Sequence, residues 1–184
     1  LADTTRLWIG SRSGLYQYSI ANDELSSAPA TGTEALLINV LAFDRSNNDL
    51  LIGSYAGLHR FNTMLPAGAK ALTGVARLAQ VNVRSILQDR TGVLWLGSRE
   101  GGVYRSIITS KAFSGIADYT PALAGKNFSV TAVFKFAQQL WLGSTDKVIL
   151  LDTDTGSGNG SYQHIMTGSR VNAIAGAADQ HVYI

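Results

Sequence analysis

Side chains able to do covalent chemistry are few in this chain, and their spacing fits none of the common constellations. Gly10-Ser11-Arg12-Ser13-Gly14 has the outline of a nucleophile elbow, but an arginine stands where the nucleophile belongs. Asp152-Thr153-Asp154-Thr155-Gly156 opens like a calcium loop. It lacks the third oxygen ligand, the glycine one position later and the closing glutamate, so it reads as a polar turn. His59, His164 and His181 have no metal-ligand spacing. Gly156–Gly160 is glycine-rich, yet no lysine or helix follows to make a phosphate cradle. The chain has no cysteine, which excludes disulfides, thiolate metal sites and cysteine nucleophiles together. No catalytic residue, metal or cofactor is expected.

Polar residues at two recurring positions make a better case, and the chemistry they suggest is binding. One group is Arg12, Tyr55, Arg99 with Glu100, and Asp146 with Lys147; the other is Asn39, Arg84, Thr131 and Asn172. Arginine forks and a tyrosine can hold carboxylates or sugar hydroxyls. The plainer alternative for any one of them is a solvated loop tip.

These residues stand at equivalent places because one phrase returns four times. It reads LWIGSRSGLYQYS from Leu7, LLIGSYAGLHRFN from Leu50, LWLGSREGGVYRS from Leu94 and LWLGSTDKVILLD from Leu140. The central glycines, Gly10, Gly53, Gly97 and Gly143, are 43, 44 and 46 residues apart, and His181-Val182-Tyr183-Ile184 opens a fifth copy. Self-similarity at this period marks an array of supersecondary units.

Each unit holds at least three short apolar runs. The first is Val83–Leu87, echoed by Ile38–Ala42, Val130–Phe134 and Val171–Ala175. A turn follows, clearest as Asp89-Arg90-Thr91-Gly92, then a second run at Val93–Gly97 and a third at Val103–Ser106. Runs this short, rich in β-branched and aromatic residues and bounded by Gly, Asn, Asp or Ser, are strands joined by hairpins. Gly14, Gly57 and Gly102 sit in the second hairpin, where a positive φ is needed; Lys147 replaces this glycine in the fourth copy. Gly10, Gly53, Gly97 and Gly143 are expected to let a neighbouring backbone approach. Asn22–Glu34 and Ile107–Lys126 are expected to carry a weak fourth strand and a loop. No stretch keeps a helical period for three turns.

A four-stranded antiparallel unit at this period is a propeller blade, so the fold class is an all-β propeller of about four blades. The repeats lie near 1–37, 38–82, 83–129 and 130–170, with an incomplete unit at 171–184. Trp8, Trp95 and Trp141, replaced by Leu51 and Tyr183 in the other copies, share one position. Stacking on a sugar is one use for them, but their strict period favours filling the gap between blades. The innermost strands would surround a channel, with the polar residues above clustered at its mouth. The scaffold repeats and the loops vary, as recognition on a fixed frame would require.

Composition narrows the partners. The chain has 184 residues, 46 % of them hydrophobic, and a formal charge of +2 from 15 basic and 13 acidic residues. No basic run is present, so nucleic-acid or membrane-surface binding by charge is not expected. The longest apolar stretches, such as Ala35–Val40, are too short to span a bilayer, so any membrane attachment lies outside this chain.

The phrase Val83-Arg84-Ser85-Ile86-Leu87-Gln88-Asp89-Arg90-Thr91-Gly92-Val93-Leu94-Trp95-Leu96-Gly97-Ser98 resembles the two-component-regulator propeller repeat. In that family a strand ends in Gln-Asp, then come a short Gly turn, Leu-Trp-Ile-Gly-Thr and a Gly-Leu-Tyr strand. The resemblance covers the whole chain and is strongest in the third unit. The second unit lacks the tryptophan, and the fourth lacks both the Asp turn and the hairpin glycine.

The resemblance implies a sensor: the extracytoplasmic, periplasmic part of an inner-membrane signalling protein with a histidine kinase or diguanylate cyclase output. It implies a small-molecule or oligosaccharide ligand and no catalysis. The alternatives are a propeller enzyme of lyase or quinoprotein type, and a structural scaffold for protein interaction. The first unit lacks its innermost strand and the last stops inside its second, so further blades or self-association are expected to cover the end faces.

Overall fold

The computed structural model describes residues 5–28, 32–33, 35–45, 49–64, 72–106, 113–115, 128–152, 162–176 and 182–184. Among these residues all regular structure is β apart from one 3₁₀ turn at Ala76–Leu78. Two compact units divide the chain, Leu1–Val83 and Arg84–Ile184.

The first unit holds two sheets. One is the three-stranded meander β1 (Arg6–Ser11), β2 (Gly14–Ser19) and β3 (Glu24–Ser27); the other is the four-stranded β4 (Ile38–Phe43), β5 (Leu50–Ser54), β6 (Gly57–Phe61) and β7 (Leu72–Gly74). The second unit repeats the plan as β8 (Val83–Gln88), whose first residue is the last of the first unit, with β9 (Leu94–Ser98), β10 (Val103–Ser106) and β11 (Phe113–Gly115). Next come β12 (Ala132–Phe136), β13 (Gln139–Gly143), β14 (Lys147–Asp152) and β15 (Tyr162–Met166), then a pair, β16 (Ala175–Gly176) and β17 (Val182–Tyr183). Every strand pairs with its sequence neighbour, so each sheet is a blade built from local hairpins. The weak fourth strands expected from the sequence are β3 and β11. The first strand of the fourth blade starts at Ala132, and only Ala175–Gly176 of the expected fifth is paired.

Hairpin chemistry follows the residues. Gly57, at φ 121°, opens β6, and a Cβ there would lie 2.6 Å from the Leu78 carbonyl oxygen, so no other residue fits. The glycines that end the second strands do a different job from the one expected. What approaches them is side chain, not backbone. A Cβ on Gly10 would meet Ile38 Cγ2 at 2.5 Å, one on Gly97 would meet Val130 Cγ1 at 2.5 Å, and one on Gly143 would meet Val171 Cγ1 at 2.6 Å. Each is the β-branched residue opening the next repeat, seated as a knob on the bare backbone.

Tryptophans close the joints. In the first unit Trp8, 1 % exposed, packs with Ile38, Leu50 and Ile52 and meets the Phe61 ring edge-on at 5.3 Å. In the second, Trp95 packs with Leu140, Leu142, Ile149 and Leu151. Burying each such side chain contributes about 1.5–3 kcal/mol. Strands β5 and β9 are buried along their whole length. Leu51, standing in for a tryptophan, is fully buried, whereas Tyr183 is exposed.

Candidate functional site

The polar residues singled out by the sequence lie at one end of each blade. That end is built by the hairpin between second and third strands, and a serine fixes its shape. Ser11 Oγ donates to the Gly14 carbonyl at 3.1 Å and accepts from the Ser13 amide at 3.0 Å. Ser54 does the same with Gly57 (3.1 Å) and Ala56 (3.1 Å), and Ser98 with Gly102 (3.0 Å) and Gly101 (2.9 Å). These bonds occupy turn groups that would otherwise rely on water, so each tip projects its residues from a defined backbone. The serines were not among the residues picked out from the sequence, although the signal was there: Ser11, Ser54, Ser98 and Ser144 follow the central glycine in every copy.

On this frame Arg12 is exposed and Tyr55 is half-buried, its amide donating to the Leu37 carbonyl at 3.1 Å. Arg99 and Glu100 are exposed and paired at 3.3 Å. Asp146 and Lys147 stand 3.9 Å apart, and the Asp146 carbonyl accepts the amides of Thr167 (2.9 Å) and Gly168 (3.3 Å). Arg84 is half-buried in β8, and Asn172 is exposed. The start of each first strand comes to the same end. Ile38 pairs with Ser54, which sets Asn39 near Tyr55, and the Thr131 amide donates to the Gly143 carbonyl at 2.9 Å, near Asp146 and Lys147.

Asn39 and Thr131 have a further role in joining repeats. Asn39 Nδ2 donates to Asn82 Oδ1 at 3.1 Å and to the Val83 carbonyl at 2.9 Å. Thr131 Oγ1 donates to the Val171 carbonyl in the same way. In both cases one acceptor is the carbonyl of the valine that opens the next repeat.

A second polar cluster sits in the third blade, and its partner was not legible in the sequence. Asp89 is buried. Its Oδ1 accepts the amides of Thr91 (2.9 Å) and Val93 (3.1 Å) and the Thr91 hydroxyl (2.6 Å), and its Oδ2 accepts Trp95 Nε1 (2.9 Å) and Lys135 Nζ (3.2 Å). Burial alone would push this carboxyl up. The hydrogen bonds from Thr91, Trp95 and Lys135 and the ammonium charge reverse that and hold it below the usual carboxylate range. In the second blade Asp44 takes Arg60 instead, at 2.6 Å, where Leu51 replaces the tryptophan and lies opposite Arg60. Both carboxylates are committed to the frame.

Nothing among the described residues gathers three or more His, Asp or Glu side chains as a metal would need. His59 Nε2 lies 3.2 Å from Ser54 Oγ, and burial pushes its pKa down. His164 is exposed on β15 and Asp152 ends β14. Asp154, Gly156–Gly160 and His181 lie outside the described residues. A groove of about 440 Å³ runs between β1 and β4, lined by Leu7–Gly10 and Ile38–Leu41. Among the described residues no strand pairs with this side of β1, the position at which the other three blades carry their first strand. No helix among the described residues is long and apolar enough to cross a membrane.

Comparison with known proteins agrees with this geometry. Residues 77–100, spanning β8, the Asp89 turn and β9, match the family described as two component regulator propeller. No curated protein matches the chain by sequence. Among solved structures, the extracellular domain of BT4673 from B. thetaiotaomicron, described as a hybrid two-component system, superposes with a TM-score of 0.74 at 20 % identity, over 98 % of this chain and 24 % of its own. That of BT3049 from the same organism gives 0.70 at 15 % identity, over 97 % and 23 %. PorZ, a surface component of the type-IX secretion system of Porphyromonas gingivalis, gives 0.57 at 14 % identity, over 95 % and 21 %. The chain thus spans about a quarter of the length of these proteins. The two-component-regulator repeat is thus matched within the third blade, and the fold shared along the length of the chain is a β-propeller.

Proposed function

We propose that this propeller is the ligand-sensing, non-catalytic part of a bacterial membrane-anchored signalling receptor, acting on the outer side of the inner membrane. The observation that carries the reading is the fold it shares, along almost its whole length, with extracellular domains described as belonging to two-component systems. The hairpin tips support it: a constant glycine-serine frame presents Arg12, Tyr55, Arg99, Glu100, Asp146 and Lys147, which differ from blade to blade. Guanidinium forks, a tyrosine hydroxyl and carboxylates are groups suited to an oligosaccharide or a small acidic ligand. Asn39 would border the tips of the first unit, and Arg84, Thr131 and Asn172 those of the second.

The test is a thermal-shift screen of the purified protein against oligosaccharides and amino acids. A ligand at a hundred times its Kd stabilises by about 2.7 kcal/mol. Arg12→Ala and Arg99→Ala should leave the unliganded melting temperature unchanged and abolish the shift. A shift that survives every tip variant would place recognition elsewhere, and a screen with no shift would remove the small-ligand reading. The similarity to PorZ favours a second reading, a scaffold for surface assembly. A full-length chain with a membrane span and a kinase or cyclase output would decide for the receptor.

A further inference from the structure

The tip serines differ in what reaches them from the third strand. The equivalent residues there, opposite Ile9, Ile52, Leu96 and Leu142, are Tyr16, His59, Tyr104 and Ile149. Tyr16 Oη lies 3.1 Å from Ser13 Oγ, which is itself 3.0 Å from Ser11 Oγ. Tyr104 Oη lies where a Cβ on Gly101 would collide with it, and Ile149 is apolar. Of the four, His59 is the one that can change charge near neutral pH, and its Nε2 stands 3.2 Å from Ser54 Oγ.

Counting protons fixes what that contact does. A serine hydroxyl has one proton to give. Ser11 and Ser98 give theirs to the Gly14 and Gly102 carbonyls with no histidine at hand, and Ser54 has the same acceptor in Gly57 at 3.1 Å. The imidazole must then donate through Nε2, which leaves Nδ1 as its basic nitrogen. The two nitrogens meet different surroundings. Nε2 points at the fully buried Ser54. Nδ1 faces Gly74 on the edge strand β7, where a Cβ would lie 3.7 Å away and the residue is exposed. With no side chain on Gly74, that nitrogen is open to water and to its proton.

Among the described residues, those packed around the ring bring no charge to it. Ile52 and Gly74 flank it within the sheet, and Ile52 belongs to the cluster that holds Trp8, Leu15 and Leu36. The titratable groups on the same elements lie elsewhere. Arg60 is on the other face of β6, bound to Asp44, and Arg77 is exposed on the 3₁₀ turn. Arg6 and Glu24 both pair with Ser19 at the far end of the first blade, and Tyr55 stands on the tip itself. Burial therefore acts unopposed and pushes the imidazole pKa down. We propose that His59 is a proton-operated latch on the second-blade tip. Neutral, it holds Ser54, and through Ser54 the Ala56 amide and the hairpin that presents Tyr55. Protonated, it turns outward past Gly74 and lets the hairpin loosen. Because the folded imidazole charges less readily than the unfolded one, the latch's contribution to stability is complete above about pH 6.5 and is lost as pH falls from there towards the folded value. This inference concerns the hairpin and stands apart from the sensor reading.

An NMR titration of the 184-residue protein tests it. Between about pH 8 and about pH 5 the Ala56 amide should shift with the same midpoint as the His59 ring, below the ordinary histidine value of about 6.5. Its protection from hydrogen exchange should fall about tenfold over the same range. The Gly101 amide, held by Ser98 at 2.9 Å in the blade that carries Tyr104, is the internal reference and should show neither change. His59→Tyr installs the residue of the first and third blades and should abolish both changes at Ala56. His59→Gln repeats the experiment should the tyrosine variant misfold. An Ala56 amide indifferent to the His59 titration overturns the proposal. So does a change that persists in the variants or appears equally at Gly101.

Discussion

In the third blade the turn carboxylate of Asp89 holds the Trp95 indole and reaches Lys135 of the next blade; in the fourth, the turn Phe136-Ala137-Gln138 offers no carboxylate and the Trp141 indole has no acceptor among the described residues. The turns differ in backbone as well. Gly92 adopts φ 85° in the third, and Ala137 is held at φ 50° in the fourth. The second blade shows the converse loss, keeping Asp44 without a tryptophan and pairing it with Arg60. Carboxylate and indole therefore act as one fastening. Where either is missing the blade still forms, because the hairpin serines and the glycine seats are separate devices. Tolerance of such loss is what a repeat array needs if its loops are to diverge.

The sharpest way to break this comparison is Asp89→Ala. It strands the Trp95 N–H, two turn amides and a largely buried ammonium, and should cost roughly 3 kcal/mol or more in urea unfolding. The same carboxyl sets an acid limit. Because its folded pKa lies below the ordinary value, its contribution is complete above about pH 4, where the unfolded carboxyl is ionised, and is lost as pH falls through the folded pKa. Asp89→Asn should flatten that acid limb, and an unchanged limb would show that other carboxyls carry it.

A pair of tryptophan variants sharpens the comparison at smaller scale. Trp95→Phe removes a donor from a buried carboxylate and should cost about 1–3 kcal/mol beyond the lost ring area, while Trp141→Phe loses no hydrogen bond and should cost clearly less. Equal losses from the two would mean that Asp89 does not fasten the indole. The smallest effect expected is a gain. Ala137→Gly relieves a left-handed alanine and should stabilise by about 1 kcal/mol, read as a higher melting temperature.

Strand positions were legible from the sequence because β-branched and aromatic runs between glycine turns have few other ways to bury themselves; β5, β6, β9 and β10 fall where the repeats put them. The tips carrying Arg12, Tyr55 and Arg99 were legible for the same reason, since hairpins join adjacent strands. The roles of Asn39 and Thr131 were not. A side-chain amide or hydroxyl one residue into a strand looks the same whether it faces a ligand or the carbonyl of Val83 or Val171, some forty residues away.

What the sequence determined by itself was the unit and its period, because strand, turn and hairpin glycine are local choices made within a few residues. What only the tertiary structure decided was how one unit grips the next: Ile38, Val130 and Val171 as knobs on bare glycines, Lys135 reaching Asp89, and the unequal burial of Trp141 and Trp95. Those contacts join residues more than twenty positions apart in the chain, and whether a donor meets an acceptor across that span depends on a packing geometry that no single repeat contains.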